Sequence, residues 1–324
     1  MTSQSRWGLP IELGDQRFLH EDRLLWLRAI AWMVALFFAV VMSFGPVMSA
    51  VRGLLPTDAA PLQFLARCAG AAVALGAYAL LVRFGEGRWP REIALRPAPG
   101  QLLVGIVLGL AMFALVMAVM IAFGLYDVAF VGPASAWRAA GLAIEAGVIE
   151  ELMIRGIVLR LLWRAFGPAP AFLVSAALFG AGHLPNSASS IFAALCIAVE
   201  AGVMLGALYA LTGRLWMPIG VHIAWNFAQG YLFGAAVSGG DLGPAIARST
   251  ARPGVPEWLT GGAFGPEGSL PALLVCGTVG AVALWLAWKE GRFARKAAAA
   301  IAQPAVTAPA DYGFSRGELR ALIR

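Results

Sequence analysis

The sequence predicts an all-α, polytopic membrane protein with about eight transmembrane helices. Three observations predict it. Of 324 residues, 60% are hydrophobic and only 13% are charged, against about 45–50% and 25% in an average soluble chain. The apolar residues gather in runs close to the roughly 20 residues that cross a hydrocarbon core. The basic residues fall mostly between those runs. A water-soluble fold is excluded because so few charges cannot cover so much apolar side chain. Disorder is excluded by the 11 Trp and 18 Phe, residues that unfolded chains lack.

The expected spans are 24–48, 62–82, 102–123, 137–163, 170–183, 191–211, 218–233 and 270–288. The fifth and seventh are short, which is tolerated where a helix is buried in protein or lines a cavity. Around them the chain divides into an N-terminal cytoplasmic segment (1–23), two N-terminal helices with a basic loop (24–100), a core (101–290) and a cytoplasmic tail (291–324). Residues 234–268, rich in Gly and Pro, read as a loop on the non-cytoplasmic side. Residues 297–310 read as a flexible linker and 315–324 as a short basic helix.

The formal net charge of +6 is read as topology, not as a nucleic-acid footprint, because the arginines do not cluster on one polar face. Arg6, Arg17, Arg23, Arg83, Arg88, Arg91, Arg96, Arg160, Arg164, Arg214, Lys289, Arg292, Arg295 and Lys296 fall on one side of the spans. Arg52, Arg138, Arg248 and Arg252 fall on the other. The positive-inside rule then puts both termini in the cytoplasm, as expected of an integral protein of a bacterial plasma membrane. Cys68, Cys196 and Cys276 are odd in number, lie in apolar runs and show no CxxC spacing, so they are expected to be buried thiols. No cleavable signal peptide is read, because the first apolar run is long enough to span and lacks a small-residue cleavage site.

The chemistry is expected from ionisable groups inside the apolar runs, where each costs about 2.5–3.5 kcal/mol at the bilayer centre. In the fourth run Glu151 and Arg155 are i, i+4 neighbours on one helical face and can pair. Glu150 points about 100° away, free to exchange protons. The fifth run ends Phe179-x-x-x-His183, and the seventh holds His222-x-x-x-Asn226, each pair on one face. Each motif also has a bland reading: a packing salt bridge, a satisfied core histidine, a helix-linking hydrogen bond.

The three motifs in this order on successive helices resemble the CAAX-protease and bacteriocin-processing family of intramembrane proteases (the Abi family), related to type II CAAX prenyl-protein endopeptidases. The stretches 225–230 and 260–268 also resemble bacterial members. The resemblance covers about residues 100–290 and implies an intramembrane endopeptidase on an eight-helix fold. It implies that Glu150 is the water-activating base, that His183 assists it, and that His222 and Asn226 complete the site. Glu151, Arg155 and Phe179 would support them. Two arrangements fit these residues. In one, Glu150, His183 and His222 ligate zinc as a His2Glu set. In the other, which is preferred, no metal takes part: Glu150 and His183 activate water while His222 and Asn226 stabilise the oxyanion. The expected partners are a protein or peptide substrate at the membrane and the bilayer itself. The competing readings are a non-catalytic immunity or scaffold protein on the same fold and a transporter or proton relay.

Helical rise adds one expectation. Glu150 and His183 each lie about 20 Å from their shared turn, whereas His222 lies only about 6 Å past Pro218. The turn at 214–218 must therefore sink into the protein, with a cavity expected to open to the cytoplasm there.

Overall fold

The structure is a computed structural model that describes residues 7–56 and 58–293. The expected linker at 297–310 and helix at 315–324 lie outside the described residues. The expected apolar runs all form helices. These are α1 (Leu25–Leu54), α2 (Ala60–Gly85), α3 (Ala98–Ala122), α4, α5 (Pro168–Gly182), α6 (Ile191–Thr212), α7 and α8 (Leu270–Lys289). Helix α4 is one rod made of Trp137–Glu151, a π-helical stretch Leu152–Leu159 and Arg160–Phe166, and α7 joins Trp216–Phe227 to a π-helical end Ala228–Leu232.

Local sequence sets the boundaries. Gly167, at φ +89°, breaks α4, and Pro168 opens α5, where its missing N–H costs nothing. Ser190 and Ser269 cap α6 and α8 by accepting from the amides of Ala193 and Ala272.

Among the described residues, α1, α2, α3, α6 and α8 are long and apolar enough to cross a membrane unaided. Helix α4 fails on charge and α5 on length, with 15 residues. A polar or short helix is tolerated within a bilayer only where neighbouring helices bury it.

A two-stranded antiparallel ribbon, β1 (Tyr126–Phe130) and β2 (Ala247–Ala251), was not expected; it pairs Tyr126 with Ala251 and Phe130 with Ala247. Five-residue strands more than a hundred residues apart leave no periodicity to read. The ribbon marks one end of the bundle, with Arg138, Arg248 and Arg252 nearby.

The opposite end carries Arg88, Arg160, Arg164, Arg214 and Arg292, and they do more than signal topology. Arg160 is fully buried and grips both oxygens of Glu86, at 2.6 and 2.9 Å. Arg88 holds both oxygens of Glu92 at 2.9 Å and one of Glu86 at 2.8 Å. The Tyr78 hydroxyl donates to Glu92 and the Trp32 indole to Glu86. Burial by itself would raise the Glu92 carboxyl, but the Arg88 and Arg160 guanidiniums outweigh it and hold it at about 2.

Helix α3 packs against α7 along small residues. A side chain at Gly105 would sit 2.4 Å from the Met217 carbonyl, and one at Gly109 2.5 Å from the Val221 carbonyl. Only glycine lets the two backbones meet this closely, as in small-residue helix contacts within membranes. This contact seats the first turns of α7, and hence His222, deep in the bundle.

Candidate active site

Glu150 is the penultimate residue of the regular α-helical part of α4. His183 caps the C-terminus of α5. Glu200 lies in the π-helical stretch of α6 (Ala198–Leu205), and His222 and Asn226 lie one turn apart on α7. All five line a single cavity of about 60 Å³, room for on the order of four waters. Three of the elements that build it carry π-helical stretches beside their polar residues. Such widened turns re-aim side chains and gather at functional sites.

Behind the cavity wall, Glu151 and Arg155 are fully buried and paired at 2.8 Å, as their i, i+4 spacing requires. Arg155 also donates to the Ala201 carbonyl and lies over the Phe179 ring, 4.9 Å from its centre. The carboxyl thus compensates a buried guanidinium that ties α4 to α5 and α6. The same Glu151 oxygen, Oε1, faces Nδ1 of His222 at 2.9 Å. Nε2 of His222 lies 3.8 Å from Oε2 of Glu150, too long for a hydrogen bond but close for a charge contact. Glu150 is the open member of the adjacent acids: its side chain is 37% exposed, and Glu151 is buried. The two carboxyls therefore have the separate environments expected of them.

His183 is fixed from behind as well. Its Nδ1 is 2.8 Å from the Phe179 carbonyl, and the two rings lie 4.8 Å apart. A carbonyl only accepts, so Nδ1–H donates, and in the neutral form of the ring Nε2 carries the lone pair. By the same logic Nδ1–H of His222 points to Glu151, and an N–H at its Nε2 exists only in the imidazolium form.

Three lining residues, Glu200, Ser238 and Glu267, were not among the expected site residues. Glu200 carried a signal, a carboxyl in the middle of an apolar run. Glu267 carried almost none, since it sits in the Gly-rich segment read as an outer loop. That segment does not stand away from the bundle. Gln229 donates to the Ala236 carbonyl at 2.6 Å, Gly239 to Phe264 at 2.8 Å, and the Phe264 side chain is buried against Phe179, Ala193 and Ile197. Gly265 makes the close approach possible, with φ +113° and space for a side chain closed off by the Ala236 carbonyl. Glu267 then accepts from the Ser238 amide and hydroxyl and, at 3.4 Å, from the Trp225 indole. Burial pushes its carboxyl up, opposed by the Ser238 hydroxyl and the neighbouring His183.

The turn before α7 is sunk, as the helical rise required: Thr212, Leu215 and Trp216 are buried. Beside it lies a separate cavity of about 440 Å³, lined by Ala94, Leu95 and Trp216 and not by Glu150, His183 or His222. The Leu9 amide donates to the Thr212 carbonyl, and the Gly8 carbonyl receives Arg292, so residues 8–9 cover the turn. His183, Ser238 and Glu267 line the site cavity itself.

Among the described residues, no three His, Cys, Asp or Glu side chains converge to hold a metal ion.

Residues 132–228 match the family model described as type II CAAX prenyl endopeptidase Rce1-like, a protease family. The match covers under a third of the chain. It contains Glu150, Glu151, Arg155, Phe179, His183, His222 and Asn226, and it ends before Ser238 and Glu267. No curated protein matches the chain, and no solved structure does.

Proposed function

We propose that this chain is an intramembrane endopeptidase that hydrolyses a peptide bond of a membrane-associated protein or peptide through a water activated by Glu150. The observation that carries the reading is the meeting of Glu150, His183, His222 and Asn226, from three different helices and all within the span that resembles a protease family, around one cavity.

In this mechanism water binds between Glu150 and Nε2 of His183. Glu150 takes a proton as the water oxygen attacks the substrate carbonyl. His222, as the imidazolium, divides its two N–H groups between Glu151 and the developing oxyanion. The Asn226 amide gives the oxyanion its second donor. Glu150 then passes its proton to the leaving amine, which restores the carboxylate. Glu151 and Arg155 touch no reacting atom; they fix the orientation and charge of His222.

The test is the Glu150→Gln variant. It should purify from detergent as the wild type does and melt within a few degrees of it. It should lose cleavage by at least about 10³-fold, the upper part of the range for a general base. Comparing the membrane proteomes of cells carrying wild type and variant would reveal the natural substrates as proteins that persist uncut in the variant. Proteomes that do not differ, with Glu150→Gln and His183→Ala both silent, would leave a non-catalytic membrane partner as the reading.

A further inference from the structure

The cavity holds two carboxyls that the reaction does not use, Glu200 and Glu267. Its lining also includes Glu150, His183 and His222, which the reaction does use, and no Lys or Arg. Arg155, the cation just behind, is already engaged by Glu151, the Ala201 carbonyl and the Phe179 ring. Glu200 is 4% exposed and Glu267 3%. They come from α6 and from the segment before α8, and they face the same small space.

Their hydrogen bonding differs in an informative way. Glu267 is held by three donors, from Ser238 and Trp225, which fix its position. Oε1 of Glu200 is buried and has no hydrogen-bond partner. A buried carboxyl oxygen is seldom left without one, and an exception calls for a ligand, an ion or a water. Beside a second carboxyl, the complement that satisfies both is a cation with several N–H groups.

We propose that Glu200 and Glu267 form a subsite for a primary ammonium, carried by a lysine side chain of the substrate within about two residues of the cleaved bond. The position follows from size. Glu150 and Glu200 line the same cavity of about 60 Å³, and an extended chain advances about 3.5 Å per residue. The ammonium follows from shape and polarity. It is compact and offers three donors. Ile197, Met204 and Leu205 supply an apolar wall for its methylene stem. The link to a cleaved bond rests on the peptidase reading; the ammonium site does not.

Two measurements separate those two claims. In the first, the full-length wild type in detergent is heated with n-pentylammonium chloride and, separately, with sodium chloride of equal strength. Pentylammonium should raise the melting temperature by about 2–4 °C. The rise should vanish in Glu200→Gln and in Glu267→Gln, and either variant suffices if the other fails to fold. No rise in the wild type, or one that survives in the folded variants, overturns the subsite whatever the catalytic result.

In the second, a peptide library is digested and the cleaved sites are read by mass spectrometry. Peptide pairs with lysine or norleucine beside the cleaved bond are then compared. The wild type should prefer lysine at least about tenfold in kcat/KM, chiefly through KM, and the ratio should fall toward one in the folded variants. A ratio near one in the wild type overturns the placement beside the bond. Pentylammonium stabilisation with no peptide cleaved would retain the subsite and reject the peptidase reading.

Discussion

Nδ1 of His222 lies 2.9 Å from Oε1 of Glu151, the same oxygen that Arg155 holds at 2.8 Å. One buried carboxylate thus joins a helix-packing ion pair to a site histidine. Glu151→Gln keeps the volume but removes the charge that orients the imidazolium and offsets Arg155. Cleavage should fall by about 10–100-fold, the usual cost of losing a supporting partner behind an active group, and mostly in kcat. The melting temperature should fall too, because a buried guanidinium left unpaired costs about 3–5 kcal/mol. A steady-state assay with thermal unfolding checks both. An Arg155→Met/Glu151→Gln double variant that regains stability but not kcat would separate the structural part of the role from the positioning part.

The network at the opposite end predicts an acid limit to stability. The Glu92 carboxyl is held at about 2, and Glu86 is held below its usual value because Arg160 and Arg88 outweigh the effect of burial. Both are depressed below an unfolded value of about 4.3. Their contribution is therefore complete above about pH 4.5 and is lost as pH falls toward 2, where the native carboxyls at last protonate. Melting temperature measured from pH 6 to pH 3 should decline on the acid side. Glu92→Gln should melt lower at pH 6 and show a shallower decline. A parallel decline in that variant would assign the acid sensitivity to other groups.

Much of this arrangement was legible in the sequence, and the limits have physical causes. The site residues of α4, α5 and α7 could be read because a charge or histidine in an apolar run is costly, and i, i+4 spacing says which pairs share a face. The Glu151–Arg155 pair is an instance. Glu200 was visible on the same ground, but it had no i, i+4 partner of its own to suggest a role. Glu267 and Ser238 were not legible, because a Gly-rich segment reveals neither its path nor its burial. Arg160 was read only as topology, since its partner Glu86 is 74 residues away and meets it through tertiary folding alone. Arg88 has Glu86 and Glu92 close by in sequence, but outside a long helix no period says that all three turn inward together.

The contact between α3 and α7 should tolerate almost no added bulk. Gly105→Val places a branched side chain where the first carbon alone would meet the Met217 carbonyl at 2.4 Å. The helices must separate, at a cost of about 1–3 kcal/mol or more, and His222 moves with α7. Thermal unfolding should show a loss of several degrees, and cleavage should fall alongside it. Gly100 supplies the control on the same helix, since nothing lies within 4 Å of a side chain placed there. Gly100→Ala should be neutral or slightly stabilising, by up to about 1 kcal/mol. Equal behaviour of the two variants would remove the close approach from the account.

The cover over the turn before α7 makes a last prediction. Thr212 is fully buried, its carbonyl capped by the Leu9 amide at 3.2 Å, and the Gly213 backbone, at φ +65°, passes too close to the Leu9 carbonyl for any side chain. In a chain whose three native cysteines are replaced by alanine, Thr212→Cys should resist a maleimide reagent. Arg248→Cys, on the exposed ribbon, should react at once. Replacing residues 7–10 with Gly-Ser-Gly-Ser places a side chain at position 8, where its first carbon would lie 2.3 Å from the Thr212 carbonyl, and so displaces the strap without shortening the chain. Thr212→Cys should then label at least about tenfold faster while Arg248→Cys is unchanged, because only local opening over the turn has become easier. Rapid labelling of Thr212→Cys with the strap intact would show that residues 8–9 do not seal this end.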